Sequence, residues 1–253
     1  MPDYFLFTDA DIAHAPDNVR RLVARAESNH RVLVSLMAKL SCESTAEKLL
    51  IPAFVFFFDM LFPFAWVNEP SRSMAAAAGG CMLARRTALE AAGGLDAIRG
   101  AIIDDCALAK IMKRQGSIWL GLTERARSIR PYGGMKEIGA MVARSAYAQL
   151  GYSPLILAGT VLGMLIVYAA APVLLVLGSG IVRLEAALTR CLMALAFAPM
   201  ARFYRLSVFW GFALPLIGAM YTAFTLNSAV QFWRGKGGMW KGRAQALSLK
   251  GTP

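Results

Sequence analysis

The sequence predicts an α/β domain followed by membrane helices, and three observations carry that prediction. A strand–helix–strand order fits within the first forty residues, the mark of a layered α/β unit. Residues 154–178 (PLILAGTVLGMLIVYAAAPVLLVLG) form an uncharged apolar run of 25, and residues 207–230 form a second such run. Either exceeds the ~20 residues that a spanning helix needs. The charge is also divided unevenly. Residues 1–153 hold 18 Lys/Arg against 15 Asp/Glu, whereas residues 154–253 hold nine Lys/Arg and one acid, Glu185.

The elements follow from local pattern. Residues 4–8 (YFLFT) read as a short buried strand, and residues 32–38 (VLVSLMA) as a second. Between them, Pro16 stands near a helix start, with Val19, Leu22, Val23 and Ala26 at helical spacing. Residues 45–67 (TAEKLLIPAFVFFFDMLFPFAWV) are apolar but interrupted by Pro52, Asp59 and Pro63. The interruptions favour a helix lying in the membrane interface, with Phe and Trp at headgroup level, over a buried core helix. Gly79 and Gly80 form a small-residue turn that feeds a strand at 81–84. A helix from about Thr87 then stops at Gly93 and Gly94. Residues 102–116 open on Asp104 and Asp105 and continue as a helix with Leu108 and Met112 four apart, and 117–122 read as a strand. The segment 184–201 contains Arg190 and reads as a third span or as a re-entrant or interfacial helix.

Composition narrows the function. Apolar residues make up 57% and charged residues 17%, far from the soluble average. The net charge of +11 sits in short basic clusters between apolar runs, which is membrane patterning and argues against nucleic acid. The first residues lack the basic and apolar regions of a signal peptide. The four cysteines are scattered and read as reduced structural thiols on the cytoplasmic side. His14 and His30 are isolated and receive no catalytic role.

Two acidic pairs carry the chemistry. An Asp-x-Asp triplet alone is weak evidence, because a solvated turn or a cap explains it as well. Asp9 and Asp11, however, follow an apolar strand, so they sit at its carboxyl end, where open α/β sheets bind ligands. Strand alternation would turn both to one side. Two hard oxygen ligands there suit Mg²⁺ or Mn²⁺ bridging a diphosphate. Asp104 and Asp105 occupy a loop-to-helix junction. Negative charge stabilises a helix N-terminus, and a general base needs the same fixed placement. Together the two pairs describe metal-dependent transfer from a nucleotide-activated donor.

At these residues the chain resembles glycosyltransferase family 2, in its processive and lipid-linked members, which have the Rossmann-like GT-A fold. FTDAD resembles that family's strand and DxD motif, AAAGGCMLARR its glycine turn, and IIDDCALAKIMKRQG its ED-x-x-L element with Asp104 in place of Glu. The stretch RPYGGMKEIGAMVARSAYAQL and the tail RGKGGMWKGRAQAL are similar to the hopanoid-biosynthesis-associated glycosyltransferases. The resemblance implies a partial GT-A domain over 1–153 and a membrane region over 154–253 with a basic tail. It implies a nucleotide-sugar donor, a lipid or membrane-proximal acceptor and an inverting reaction. Asp9 and Asp11 would bind the metal and diphosphate, Asp105 would be the catalytic base, and Gly79, Gly80 and Asp104 would lie beside sugar and acceptor. The family's Q-x-x-R-W motif is degenerate, with Met141, Arg144 and Ser145 at its Gln, Arg and Trp positions. Arg144 retains a cation for the diphosphate. The family carries further strands before DxD, so the expectation is an N-terminally truncated copy, with a separate chain supplying those strands.

The expected location is the inner (cell) membrane, multi-pass, with the catalytic part cytoplasmic. Arg202 and Arg205 precede the last run, and Arg234, Lys236, Lys241 and Arg243 follow it. Both clusters read as cytoplasmic, and a single crossing satisfies only one. The alternative to an enzyme is a non-catalytic membrane scaffold or inactive fragment. A transporter is disfavoured because the apolar runs carry almost no polar residues for a pathway.

Overall fold

The computed structural model describes residues 1–240 and 243–244, with side chains through residue 238. Two units form the chain: Met1–Ser41 with Phe57–Pro131, and Cys42–Phe56 with Tyr132–Pro253.

The first unit is built on a mixed five-stranded sheet of β1 (Tyr4–Thr8), β2 (Ile12–His14), β3 (Leu33–Lys39), β4 (Cys81–Arg85) and β5 (Ile118–Ser128). Its order is β1-β4-β3-β5-β2. Only β3 and β5 pair in parallel; β1–β4, β3–β4 and β2–β5 are antiparallel. The strand–helix–strand order at the start holds, with α1 (Asn18–Ser28) between β2 and β3, but β1, expected to be buried, is an edge strand with no buried residue and with Phe5 and Thr8 exposed, and β2 was too short to leave a hydrophobic pattern. Leu22 and Ala26 of α1 pack on Val34, Leu36, Ala38, Cys81, Leu83 and Ala126, so helix periodicity meets strand alternation in one core. The helix α5 (Asp104–Lys113) packs against β3 and β5, burying the expected Leu108 and Met112.

The register of β3 on β5 shifts between Met37 and Lys39: Met37 faces Leu122 and Lys39 faces Arg127. The extra residues on β5 let its last turn of ladder bend away and carry β2. Consequently β1 and β2, neighbours in sequence, stand at opposite edges of the sheet order, yet a three-residue connection joins them.

The run at 45–67 is two helices rather than one: α2 (Thr45–Leu61) and α3 (Phe64–Asn68), broken before Phe64. Asp59, the acid inside this apolar stretch, accepts a hydrogen bond from the Phe64 backbone N–H at 3.0 Å. Glu47, Leu50, Ile51, Pro52, Ala53 and Val55 are buried in the second unit, whereas Met60 and Leu61 at the other end of α2 and Trp66 of α3 are exposed. The first unit also contains α4 (Arg86–Ala91) and a 3₁₀ turn at Leu95–Ile98.

The second unit is helical: α6 (Met135–Gln149), α7 (Pro154–Met164), a π-helical turn at Leu165–Ala169, α8 (Ala170–Leu177), α9 (Gly180–Phe203), a 3₁₀ turn at Val208–Ala213 and α10 (Leu214–Trp233). Two stretches, Pro154–Leu177 and Val208–Trp233, are long and apolar enough to cross a membrane. The segment expected as a third span is the 24-residue α9, which also holds Arg183, Glu185, Arg190 and Arg202. A two-residue ladder pairs Met239–Trp240 with Arg243–Ala244. Of the basic tail, Lys241 and the side chain of Arg243 lie outside the described residues.

Backbone polar groups in the second unit are met from side chains. Ser228 of α10 accepts a hydrogen bond from the Tyr147 N–H of α6 and donates to the Ala143 carbonyl. Tyr221 Oη donates to the Leu50 carbonyl at 2.8 Å. Glu47 is buried and its carboxylate accepts from the N–H groups of Glu43, Ser44 and Tyr132 at 3.0, 2.8 and 2.9 Å, while Ser44 Oγ caps Glu47 N. This is a capping box with a third, long-range donor. Glu47→Ala strands these donors and lowers unfolding stability by about 2–4 kcal/mol, measured by denaturation of the detergent-solubilised protein.

Close helix approaches rest on glycines. A Cβ at Gly211 would fall 2.6 Å from Ala194 Cα and 2.8 Å from its carbonyl oxygen, so the 3₁₀ turn touches α9 backbone to backbone. Gly211→Val forces the two apart at a cost of about 1–3 kcal/mol, visible as a lowered Tm.

Candidate functional site

The site lies in the first unit, at the end of the sheet where β1 stops. The strand ends at Thr8, and Asp9 to Ile12 form a turn closed by the Ile12 N–H donating to the Asp9 carbonyl at 3.2 Å. Strand alternation predicts Asp9 and Asp11 on one side. They are instead turn residues, so alternation does not set their directions. Asp9 is exposed and Asp11 is partly buried. Asp11 is held from β5: Ser128 Oγ donates to its Oδ2 at 3.1 Å, and the Ile129 N–H to its carbonyl at 2.9 Å.

The glycine turn is fixed from the centre of the sheet. Ser35, a buried polar residue on β3, accepts from the Ala78 N–H at 2.8 Å and donates to its carbonyl at 3.2 Å. That clamp, with Ala75 to Ala78 buried, sets where Gly79 and Gly80 emerge. At Gly80 a Cβ would come within 3.2 Å of the Ala38 side chain and 3.5 Å of Ile12, so Ile12, just past the acidic turn, lies over this glycine.

Asp105 reaches the same turn from α5. Its Oδ2 accepts the Gly79 N–H at 3.0 Å and its Oδ1 the Cys106 N–H at 2.7 Å. Asp104, which is exposed, uses Oδ1 for the Asp105 N–H at 3.0 Å. The acids therefore do stabilise the helix start, and Asp105 also has a long-range partner. Burial pushes its carboxyl pKa up, and the neighbouring Asp104 charge adds to this; the two N–H donors act in the opposite sense. Two N–H bonds leave carboxylate lone pairs open for a further proton.

These contacts tie the two acidic pairs together. Thr8, the residue before Asp9, donates from Oγ1 to the Gly80 carbonyl at 3.0 Å, and Gly79 donates to Asp105. Asp9, Asp11, Gly79, Gly80, Asp104 and Asp105 thus share one end of the first unit. Arg144 belongs to α6 of the second unit, where the neighbouring Met141 accepts a hydrogen bond from Tyr132 Oη.

Residues that sequence reasoning passed over hold this end in place. Besides Ser35 and Ser128 they include His14, whose Nε2 lies 2.9 Å from Thr8 Oγ1 and whose Nδ1 lies 2.9 Å from Asn18 Nδ2. Residues 12–14 (Ile-Ala-His) carry no alternation of apolar and polar residues, so the sequence offered no signal for this strand. Cys81 and Cys106 are buried free thiols, and burial pushes their pKa values up to about 11 and about 12. They stay protonated and structural.

Among the described residues, no group of three His, Cys, Asp or Glu side chains could hold a metal ion. The acidic turn offers two carboxylates, which is the set expected for a cation that takes its remaining oxygens from water and phosphate, as Mg²⁺ does. The donor chemistry fits such a cation only together with a phosphorylated substrate.

Comparison with known families gives the class first: a glycosyltransferase, hence an enzyme of sugar transfer with a sugar donor and an acceptor. More particularly, the chain belongs to glycosyl transferase family 21, whose sequence model matches residues 2–247. The resemblance to family 2 and to its hopanoid-associated members reached the right activity, but the match names family 21. No curated protein matches the chain significantly.

Proposed function

We propose that this chain moves a sugar from a nucleotide-sugar to a lipid or membrane-proximal acceptor, with inversion at the anomeric carbon, in a GT-A-type site. The observation that carries the reading is the hydrogen-bonded path Thr8–Gly80–Gly79–Asp105, which joins an acidic turn to a partly buried carboxylate whose pKa burial raises.

In this reading Asp9 and Asp11 hold Mg²⁺ or Mn²⁺ against the donor diphosphate. The cation, when bound, offsets negative charge on the leaving diphosphate. Asp105 accepts the proton of the acceptor hydroxyl as that oxygen attacks the anomeric carbon. The bond from that carbon to the diphosphate breaks, and the nucleoside diphosphate leaves with its electron pair. Ser128 keeps Asp11 in place, and the Ser35 clamp fixes the turn that Asp105 grips. Asp104 and the glycines flank sugar and acceptor. A diphosphate role for Arg144 and a link to hopanoids rest on the resemblance alone.

Membrane placement is supported by the two apolar stretches and the basic residues beside them. In this reading the protein is multi-pass in the cell membrane, with its catalytic unit cytoplasmic. The outer edge of β1, unpaired among the described residues, is where a strand from another chain would add.

The test is product analysis. Purified protein in nanodiscs is incubated with a panel of nucleotide-sugars, membrane lipid extract and Mn²⁺, and lipids are examined by mass spectrometry. A cation-dependent glycosylated lipid with inverted linkage is expected. Donor binding without any glycosylated product would favour the scaffold.

A further inference from the structure

The Thr8, His14 and Asn18 side chains form a relay that the proposed mechanism leaves unused. Asn18 is buried at the start of α1, and its amide nitrogen faces both His14 Nδ1 at 2.9 Å and Cys81 Sγ at 3.8 Å. The buried thiol at this site is itself protonated, so the amide is the natural donor in both directions. With Nδ1 accepting, the imidazole proton sits on Nε2 and is donated to Thr8 Oγ1 at 2.9 Å. The Thr8 hydroxyl then has its own proton for the Gly80 carbonyl at 3.0 Å. Asn18 has two amide protons for its two acceptors, and the Thr8 proton has the Gly80 carbonyl at 3.0 Å and, at a longer 3.4 Å, the carbonyl of Asp9 in the acidic turn itself.

The relay matters because of where its ends lie. Thr8 closes β1 and His14 closes β2, the two edge strands of the sheet order. Between them runs only the turn that carries Asp9 and Asp11. No backbone ladder joins β1 to β2, so the geometry of that turn depends on what holds the two strand ends together. The His14–Thr8 bond does this, and the Thr8–Gly80 bond passes the constraint to the glycine turn on which Asp105 is anchored.

We infer that His14 is a positioning residue for donor binding: through Thr8 it sets the separation of the Asp9–Asp11 turn from the Gly79–Gly80 turn. This rests on the proposed reading of the acidic turn as the cation–diphosphate site. His14 touches neither substrate nor reacting atoms in this account. Its effect therefore falls on the affinity for cation and nucleoside diphosphate, and less on the chemical step.

The experiment compares wild type, His14→Phe, His14→Gln, Thr8→Val and the double variant His14→Phe/Thr8→Val. Phe keeps the ring volume without a donor, while Gln extends an N–H to about the position of Nε2. Two readouts are used: KM and kcat for the donor, and binding of Mn²⁺ with the nucleoside diphosphate released in the wild-type reaction, followed by electron paramagnetic resonance of free Mn²⁺. Loss of one hydrogen bond of this kind corresponds to about a tenfold effect. His14→Phe is expected to weaken Mn²⁺–diphosphate binding and raise donor KM about tenfold, with kcat changed less. His14→Gln should recover most of the loss, and the double variant should be no worse than His14→Phe. Unchanged Mn²⁺ binding in His14→Phe, a loss confined to kcat, or additive losses in the double variant would each overturn the inference. So would failure of Gln to recover binding while it restores the folded protein. Wild type that binds no Mn²⁺ with any nucleoside diphosphate would instead overturn the reading of the acidic turn itself.

Discussion

Asp105→Asn is expected to lower kcat by about 10²–10⁴-fold, the range that a positioned general base contributes, while donor binding remains close to that of wild type. The amide oxygen can still accept one of the two backbone N–H bonds that the carboxylate takes from Gly79 and Cys106, so the turn stays close to its place. What is lost is the ability to accept a proton. The wild-type pH profile carries a companion signature. Burial and the charge of Asp104 raise the Asp105 pKa, so the acid limb of kcat/KM should lie above the ordinary carboxylate range, with activity falling as pH drops through it. Asp104→Asn removes one of these causes and should move that limb to lower pH. Stability has the opposite dependence on this group. Because the native state holds the proton more tightly than the unfolded chain, the contribution of Asp105 is greatest below its unfolded pKa and declines as pH rises toward the folded value. A base that is costly to ionise in the folded protein is what the mechanism calls for.

Asp11→Ala should abolish cation-dependent turnover, with a loss of about 10²–10³-fold on the scale of removing one preorganised electrostatic group, and should weaken donor binding as well. In the proposed reading Asp11 would be the better ligand of its pair, for a structural reason. Its Oδ2 is oriented by Ser128 and its carbonyl by the Ile129 N–H, so little freedom remains to be lost on binding a cation. Asp9 is exposed at the start of the turn. Removing the cation with a chelator should reproduce the Asp11→Ala defect in wild type, and adding Mg²⁺ or Mn²⁺ should reverse it. Recovery of the variant by excess cation would show that Asp11 supplies affinity alone; no recovery would show that it also aligns the diphosphate.

The sequence made the strong periodicities legible. The Leu22 and Ala26 face of α1 and the Leu108 and Met112 face of α5 arise from burial, which spacing records directly, whereas the strand at 4–8 is only partly covered and the two long apolar runs, mostly exposed, are legible from composition and length alone. Asp105 stood out as a candidate for a different reason: an acid at a helix start, a glycine turn upstream and a second acidic pair form a pattern that chemistry explains. What was missed depends on distance across the fold. His14 looked isolated because its partners are Thr8 before it and Asn18 after it, and their convergence requires β2 to sit on the bent end of β5. Ser128 is 117 residues from Asp11, and no local pattern links them. The break between α2 and α3 was hinted at by Pro63, but the role of Asp59 in holding Phe64 is a tertiary feature. The mixed pairing of the sheet was likewise invisible, since strand direction leaves little trace in short apolar runs. The family assignment shows a similar division: motif chemistry pointed to sugar transfer, and the match along residues 2–247 was needed to name family 21.

The central claim is that one end of the first unit performs cation-dependent sugar transfer with Asp105 as base. A single cation titration of donor-dependent nucleoside diphosphate release, run in parallel on wild type, Asp11→Ala and Asp105→Asn, tests it most directly. Wild-type release should rise and saturate with Mn²⁺. Asp105→Asn should retain donor binding but release almost nothing, and Asp11→Ala should lose both. Equal release from all three proteins, or wild-type release indifferent to cation and chelator, would contradict the account.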